Sequence, residues 1–370
     1  MKLRELVATL LAGGALACGS QGTPPTSTIT HTEAAAGVET APPGDSAPGD
    51  DADTDDVEQE LDTDTGGTVS PADTAAEERP PDILVVIADD FGLEHASFDQ
   101  SSPCYDLGEA SDDPALPNLA ALCERGVRFT NAWAHPYCSP TRAGMITGRQ
   151  PFRTGVGWAV RAQEKDPGLP LTEFTLPQAL EAAESGYASA LIGKWHLSLD
   201  EDDPNTLGWP HFAGYIRGTL PDYNEWERVE NGNTTLVTEY ATSRQVDDAM
   251  DWLAKRGDEP WLMWLSFNTP HDPFHRPPDH LHSNHHLADY NEETDALPWF
   301  SAMSEAMDTE LGRLTEWLQA QGRWENTVVI FVGDNGNHPH VTGDPYDEER
   351  AKGTLYQGGH SAVFRIDDLG

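Results

Sequence analysis

Residues 83–88, Ile-Leu-Val-Val-Ile-Ala, are apolar without a break and then stop against Asp89 and Asp90. A strand that is wet on one face alternates apolar with polar residues. An unbroken β-branched run belongs to a strand covered on both faces, which means a parallel sheet with helices above and below it. Two adjacent carboxylates at the carboxyl end of such a strand are costly unless a cation holds them. The carboxyl ends of strands are also where open α/β sheets bind ligands. A helix cap or a turn is the plainer role for the same pair.

The rest of the chain repeats the alternation. Helical patterns fit residues 118–125, 139–148, 176–185, 239–255 and 300–321, and strand patterns fit 127–131, 187–192, 261–267 and 327–332. Thr175 and Pro177 mark one helix start, and Gly186 closes that helix. Strands alternating with helices predict an α/β fold, a doubly wound, mostly parallel sheet flanked by helices. Polar groups recur just past the strands: Asp89 and Asp90, Lys194 and His196, His271, then Asp334 and Asn335. They would gather at one end of the sheet.

A second stretch, Cys138-Ser139-Pro140-Thr141-Arg142, opens a helix. Pro140 suits the first turn and Gly148 the stop. Cys138 would then sit at a helix N-terminus, where N–H groups and the dipole favour an anion. Arg142, one turn on, faces the same spot. A buried cysteine in a tight turn is the bland alternative. Asp89, Asp90, Asp334 and Asn335 offer hard oxygens only, which suits Ca²⁺ or Mg²⁺ rather than zinc or copper. With Cys138, Arg142, Lys194, His196, His271 and Lys352 added, the set suits a tetrahedral oxyanion ester, its leaving oxygen protonated by a Lys or His. Taken singly, the lysines read as surface residues and His196 as a satisfied core histidine.

The chain has 370 residues, a formal net charge of −41 and only 22 Lys+Arg, which argues against a nucleic-acid partner. Lys2 and Arg4 precede a short apolar stretch, residues 6–17, too short to span a bilayer and suited to a secretory signal. Ala15-Leu16-Ala17-Cys18 resembles a bacterial lipobox, with Ala15 where such boxes usually carry Leu. Residues 1–18 are therefore expected to be a signal peptide with Cys18 lipidated. Residues 19–80 contain no aromatic residue and include a dense acidic block; they read as a disordered acidic linker. Residues 81–370 form the folded domain. The expected location is outside the cytoplasm, as a cell-envelope lipoprotein (periplasmic or outer surface) whose membrane contact runs only through the lipid, or else secreted. In an exported chain Cys104 can pair with Cys123, leaving Cys138 as the odd thiol. His271, His275, His280, His282, His285 and His286 crowd into 16 residues. A substrate-facing loop in which only His271 is catalytic is the preferred reading, and a second metal site the other. Trp158 and Trp209 are candidate walls of a substrate pocket.

Six motifs in order complete the reading: Ala88-Asp89-Asp90, Cys138-Ser139-Pro140-Thr141-Arg142 with Thr147-Gly148-Arg149, Gly193-Lys194-Trp195-His196, Pro270-His271, Asp334-Asn335-Gly336 and Lys352-Gly353-Thr354-Leu355-Tyr356. In these the chain resembles the formylglycine-dependent sulfatases, an arylsulfatase-like family of the alkaline phosphatase superfamily, over residues 82–359. The resemblance implies hydrolysis of aryl or carbohydrate sulfate esters. It implies that a formylglycine-generating enzyme oxidises Cys138 to formylglycine, whose hydrate is the nucleophile. It assigns Ca²⁺, ahead of Mg²⁺, to Asp89, Asp90, Asp334, Asn335 and the modified Cys138. Arg142 would orient the hydrate, Lys194 and Lys352 would clamp the sulfate, His196 would contact the hydrate, and His271 would protonate the leaving group. Thr141 stands where the family usually has Ser, and Met145 where it often has Leu. After Gly359 the family continues into a buried strand and a smaller C-terminal domain, whereas here His360-Ser361-Ala362-Val363-Phe364-Arg365 follows and Gly370 is last. The expectation is a catalytic domain truncated at its C-terminal side, short of that subdomain and of an edge strand. A phosphate or phosphonate ester hydrolase of the same superfamily, and an inactive truncated surface protein, are the alternatives.

Overall fold

The apolar run becomes β1 (Asp82–Ala88), buried at every residue. The computed structural model describes residues 79–92, 114–129, 132–162, 166–336, 338 and 341, together with the backbone of 362–365. The leader, the acidic block, Cys104 and Lys352 lie outside the described residues. β1 runs parallel between β7 (Trp261–Ser266) and β8 (Thr327–Gly333). On the far side of β7, β3 (Ala188–Lys194) and β4 (Phe212–Tyr215) continue the parallel sheet. The order is β2-β9-β8-β1-β7-β3-β4-β5-β6, nine strands among the described residues.

Both flanks turn antiparallel. β5 (Trp226–Glu230) and β6 (Asn233–Val237) form a hairpin beyond β4. Asn231 and Gly232 both take positive φ, 46° and 77°, as a two-residue turn matched to strand twist requires. At the other flank β9 (Ala362–Arg365) pairs antiparallel with β8 and with β2 (Val127–Phe129). The sequence reading expected the sheet to lack an edge strand; β9 lies beside β8, with β2 outside it.

The helices are α1 (Pro117–Glu124), α2 (Cys138–Thr147), α3 (Pro151–Thr154), α4 (Leu176–Ala182), α5 (Asp203–Thr206), α6 (Ala241–Leu253) and α7 (Leu297–Ala320). They lie on both faces, because side chains along β1 alternate between two cores. Leu84, Val86 and Ala88 join residues of α1, α6 and α7, including Leu119, Val246, Phe300 and Leu311. Ile83, Val85 and Ile87 join Ala143 and Ile146 of α2 and Leu180 of α4. Each such Leu, Val, Ile or Phe side chain contributes about 1.5–3 kcal/mol by leaving water.

Two polar ties hold the frame. Leu116, at the N-cap of α1, supplies no side-chain cap. Asp308 of α7 does so across the core, accepting from the N–H groups of Asn118 (3.0 Å) and Leu119 (2.7 Å). Asp82, where β1 starts, accepts from Arg79, Arg323 and the Trp261 N–H. Cys123, near the end of α1, is disulfide-bonded. Among the described residues no helix is long and apolar enough to cross a membrane.

Candidate active site

The five parallel strands end on one side of the sheet, and four of them deliver polar residues there. β1 gives Asp89 and Asp90, and β8 gives Asp334 and Asn335; all four are fully buried. Asp90 takes φ 61°, in the left-handed region that non-glycine residues rarely occupy. The bend lets its N–H donate to Asp334 Oδ1 at 3.1 Å. Asp89 is fixed by its own N–H, which donates to Thr269 O at 3.0 Å.

α2 begins at Cys138, one residue before the expected start, and ends at Gly148 with φ 67°. Tyr137 at its N-cap is extended and gives no side-chain cap, so the thiol stands in the polarity of the helix start. The anionic groups beside it in the chain itself are neighbouring carboxylates. Cys138 Sγ is 3.4 Å from Asp89 Oδ1 and 4.0 Å from Asp90 Oδ1. Lys194 Nζ is 3.7 Å from the same sulfur and pairs with Asp89 Oδ2. Lys194 is the last residue of β3, which runs two residues past its expected end.

Arg142 lies one turn into α2, as its spacing required. Its Nε and Nη2 donate to Asp334 Oδ2 at 2.9 and 2.7 Å, and its Nη1 donates to Lys194 O at 3.0 Å and to Ser266 Oγ. Room for this comes from Gly193, φ 100°, where a Cβ would stand 1.9 Å from Ser266 O. His196, also at positive φ (55°), is tied to α2 and to the Val160 carbonyl. Ser139 Oγ donates to its carbonyl at 2.7 Å, and its Nε2 is 3.1 Å from Val160 O. His271 brings Nε2 to 3.6 Å from Asp90 Oδ2.

Asp89, Asp90, Cys138 and His271 present ligand atoms within 4.8 Å of one another. The donors fit a hard cation on a further observation. Asn335 Nδ2 donates to Asp90 Oδ1 (2.6 Å) and Gly336 O (2.9 Å), while its buried Oδ1 accepts no hydrogen bond. An orphaned carbonyl oxygen among carboxylates is a ligand in waiting. Electrostatics agree. Burial would raise the Asp89 carboxyl, but Lys194, His271 and Arg142 hold it below the ordinary range. Burial and then Asp89 push Asp334 above that range despite Arg142 and Lys194. Arg142 and Lys194 alone are too few for three carboxylates, and His271 adds a charge only when protonated.

The sequence reading gave no role to Ser139 within the cysteine motif, and it missed Ser266, Tyr223 and Asp272, which belong to no spaced motif. Trp209 is not a pocket wall: it is fully buried, 5.9 Å from the Trp264 ring. Trp158 is half exposed, tilted on Tyr137 at 4.0 Å. Within the histidine-rich stretch His275 packs on Tyr223 at 4.4 Å and meets the Tyr240 hydroxyl at 3.1 Å, and burial pushes its ring down to about 4. His282 meets Pro277 O at 3.1 Å. Only His271 of that stretch enters a described ligand cluster.

A mostly parallel sheet with carboxylates, Arg and Lys at its carboxyl edge is the arrangement of the alkaline phosphatase superfamily. The family model for sulfatases matches residues 81–364, and the chain belongs to the sulfatase family. It is 29% identical over 301 residues to the uncharacterized sulfatase YdeN of Escherichia coli (strain K12), covering 69% of this chain and 52% of that one. It is 30% identical over 285 residues to human N-acetylgalactosamine-6-sulfatase, covering 70% and 50%. The chain thus spans about half the length of the curated relatives it matches. Among solved structures Ps i-CgsB superposes with a TM-score of 0.63 at 22% identity, over 77% of this chain and 66% of that one. At that identity the likeness speaks for the fold alone.

Proposed function

We propose that the protein hydrolyses sulfate esters, with residues 81–370 as its catalytic domain. The observation that carries this is Cys138 buried at the start of α2, between the Asp89 carboxylate and Lys194, with Arg142 locked one turn behind it. A packing cysteine needs no such surroundings. Here the thiol marks where oxygens of the mature residue would stand. A formylglycine-generating enzyme acting during export would convert Cys138. As formylglycine hydrate, residue 138 supplies a nucleophilic hydroxyl for the sulfur and a second hydroxyl whose deprotonation re-forms the aldehyde and releases sulfate.

Asp89, Asp90, Asp334 and Asn335 through Oδ1 would hold Ca²⁺ together with the mature residue 138. Bound there, the ion supplies the positive charge that the carboxylates lack and draws in the sulfate oxygens. Ca²⁺ tolerates an irregular all-protein oxygen shell better than Mg²⁺, which keeps strict octahedral geometry and its waters.

The chain's own side chains do the rest. Arg142, held by Asp334, the Lys194 carbonyl and Ser266, keeps a fixed positive charge beside residue 138 and orients its hydroxyls. Lys194 binds a sulfate oxygen, with Lys352 as the second clamp. His196, tied to Ser139, holds the wall beside residue 138 and contacts the hydrate. His271 donates a proton from Nε2 to the ester oxygen as the S–O bond breaks, so the alcohol leaves neutral.

The human relative's name specifies a sulfated amino sugar, which favours carbohydrate sulfates over simple aryl sulfates. The leader and Cys18 support a lipid-anchored protein of the cell envelope. The test is kcat/KM for matched 4-nitrophenyl sulfate and 4-nitrophenyl phosphate, using protein matured in a host with the modifying enzyme. Sulfate is expected to be preferred. A phosphate preference would move the protein to the phosphate or phosphonate reading, and no release from fully modified, Ca²⁺-loaded protein would leave an inactive surface protein.

A further inference from the structure

His271 is fixed twice over, and the two fixings are separate. Its backbone is held by Asn268 and Tyr223. The His271 N–H donates to Asn268 O at 3.0 Å. The buried Tyr223 hydroxyl is shared between the carbonyls of Asn268 (2.6 Å) and His271 (2.8 Å). The Asn268 side chain is held in turn by Gln245 at 2.7 Å. None of these contacts sets how the imidazole ring is turned.

The ring is turned by Asp272. His271 Nδ1 is 3.0 Å from Asp272 Oδ1 and 2.8 Å from the carbonyl of the same residue. Both partners are acceptors, so Nδ1 carries the proton and Nε2 is left towards the pocket, 3.6 Å from Asp90 Oδ2. Asp272 Oδ1 also lies 3.5 Å from His338 Nε2. The carboxylate therefore stands between two imidazoles, with an oxygen within 4.8 Å of an Asp90 carboxylate oxygen. Burial opposes its ionisation, but the His271 hydrogen bond and the charges of His271 and His338 hold it at about 2.

We propose that Asp272 is a positioning residue for the leaving-group proton: it fixes the His271 ring with Nδ1–H towards itself and Nε2 towards the ester oxygen. This rests on the reading of His271 as the proton donor. In the step, Nε2–H passes to the ester oxygen, the S–O bond electrons stay on that oxygen, and His271 becomes neutral with Nδ1–H still on Asp272. Asp272 itself exchanges no proton.

An acid that protonates the leaving oxygen matters most when that oxygen is a poor leaving group. The test compares Asp272→Ala and Asp272→Asn with the parent, matured and Ca²⁺-loaded, on 4-nitrophenyl sulfate and on a sugar 6-sulfate. Asp272→Ala should lose about tenfold to a hundredfold more kcat on the sugar ester than on the nitrophenyl ester. Asp272→Asn, which still accepts from Nδ1–H but brings no charge, should recover part of the difference. In a His271→Ala background the Asp272 change should add nothing. Equal losses on both esters, or none on either, would overturn the proposal.

A second measurement needs no turnover. The ring N–H proton resonance of His271, assigned through His271→Ala, should lie downfield in the parent, move upfield in Asp272→Ala and move part of the way in Asp272→Asn. An unmoved resonance contradicts the pairing. If the parent releases no sulfate from any ester, the hydrolase reading fails by itself, and this spectrum still decides whether Asp272 sets the ring.

Discussion

β1 begins and ends on buried carboxylates, and its two ends are neutralised in opposite ways. At the start, one carboxylate takes two guanidiniums. Arg79 reaches Asp82 at 3.1 and 3.0 Å, Arg323 at 2.8 and 2.9 Å, and the Trp261 N–H donates at 3.2 Å. At the end, Asp89, Asp90 and Asp334 share Arg142 and Lys194, and Asn335 Oδ1 goes without a donor. Buried charge is stable only when it is matched and hydrogen-bonded. The first cluster leaves no buried carboxylate unpaired, its two guanidiniums reaching solvent, and acts as a clasp between β1, β7 and the segment before β8. The second is short of positive charge and carries a cysteine, two lysine- or arginine-borne charges and a histidine around the deficit. Buried negative charge left short of cations, rather than burial or charge as such, distinguishes a site from a staple.

The comparison makes opposite predictions for the two ends. The largest effect belongs to Cys138→Ala, which should cut sulfate release by about 10⁵-fold or more while leaving the melting temperature close to the parent's. Asp89→Asn comes next. It should lower kcat/KM by about 10²–10³-fold, the range for losing one preorganised electrostatic group. Calcium should tell the same story: at a hundred times its Kd it should stabilise the parent by about 2.7 kcal/mol in a thermal melt, and chelation should reverse this. Asp89→Asn should respond far less. At the other end Asp82→Ala should cost about 2–3 kcal/mol, below the figure for a wholly buried pair because Arg79 and Arg323 reach solvent. Its kcat per folded molecule should equal the parent's. A large kcat loss in Asp82→Ala would erase the distinction between the ends.

The smallest effect is expected at Thr141. Its hydroxyl accepts from the His135 N–H at 3.0 Å and donates to Tyr137 O at 3.1 Å, bracing the turn before Cys138. Thr141→Ser keeps both bonds and loses one methyl, about 0.8 kcal/mol of burial. The fraction of residue 138 converted, read by mass spectrometry, should not change.

The parts of the molecule legible in the sequence are those where one physical constraint acts alone. β1, β7 and β8 are covered on both faces, so their unbroken apolar runs announced them, and the residues after them were placed with the strands. The β5–β6 hairpin escaped although Asn231-Gly232 is a turn signal. Its strand carries Arg228, which reads as solvent-facing, yet Arg228 is buried because Asp248 accepts from it at 2.7 and 2.8 Å. That pairing joins β5 to α6 and exists only once the chain has folded. β4 is four residues long with a glycine inside, too short to show a period. β9 was hidden by brevity as well.

Within the site the polar residues at the strand ends were legible and their supports were not. Ser266 reaches Arg142 only because β3 and β7 are in register and Gly193 lets them close up. Tyr223 and Gln245 come to Asn268 and His271 from distant parts of the chain. Asp272 follows His271 directly, and its part is set by which way a side chain turns. Such residues answer to topology, and no spacing in the sequence encodes topology.

The most direct test is the mass of the peptide spanning Cys138, from protein isolated from its natural source or from a host with the modifying enzyme. Replacement of the thiol by an aldehyde, confined to residue 138 and lost in Arg142→Ala or Pro140→Ala, is the expected result. A peptide that carries an intact thiol in protein that still releases sulfate would contradict the assignment of residue 138 as the source of the nucleophile.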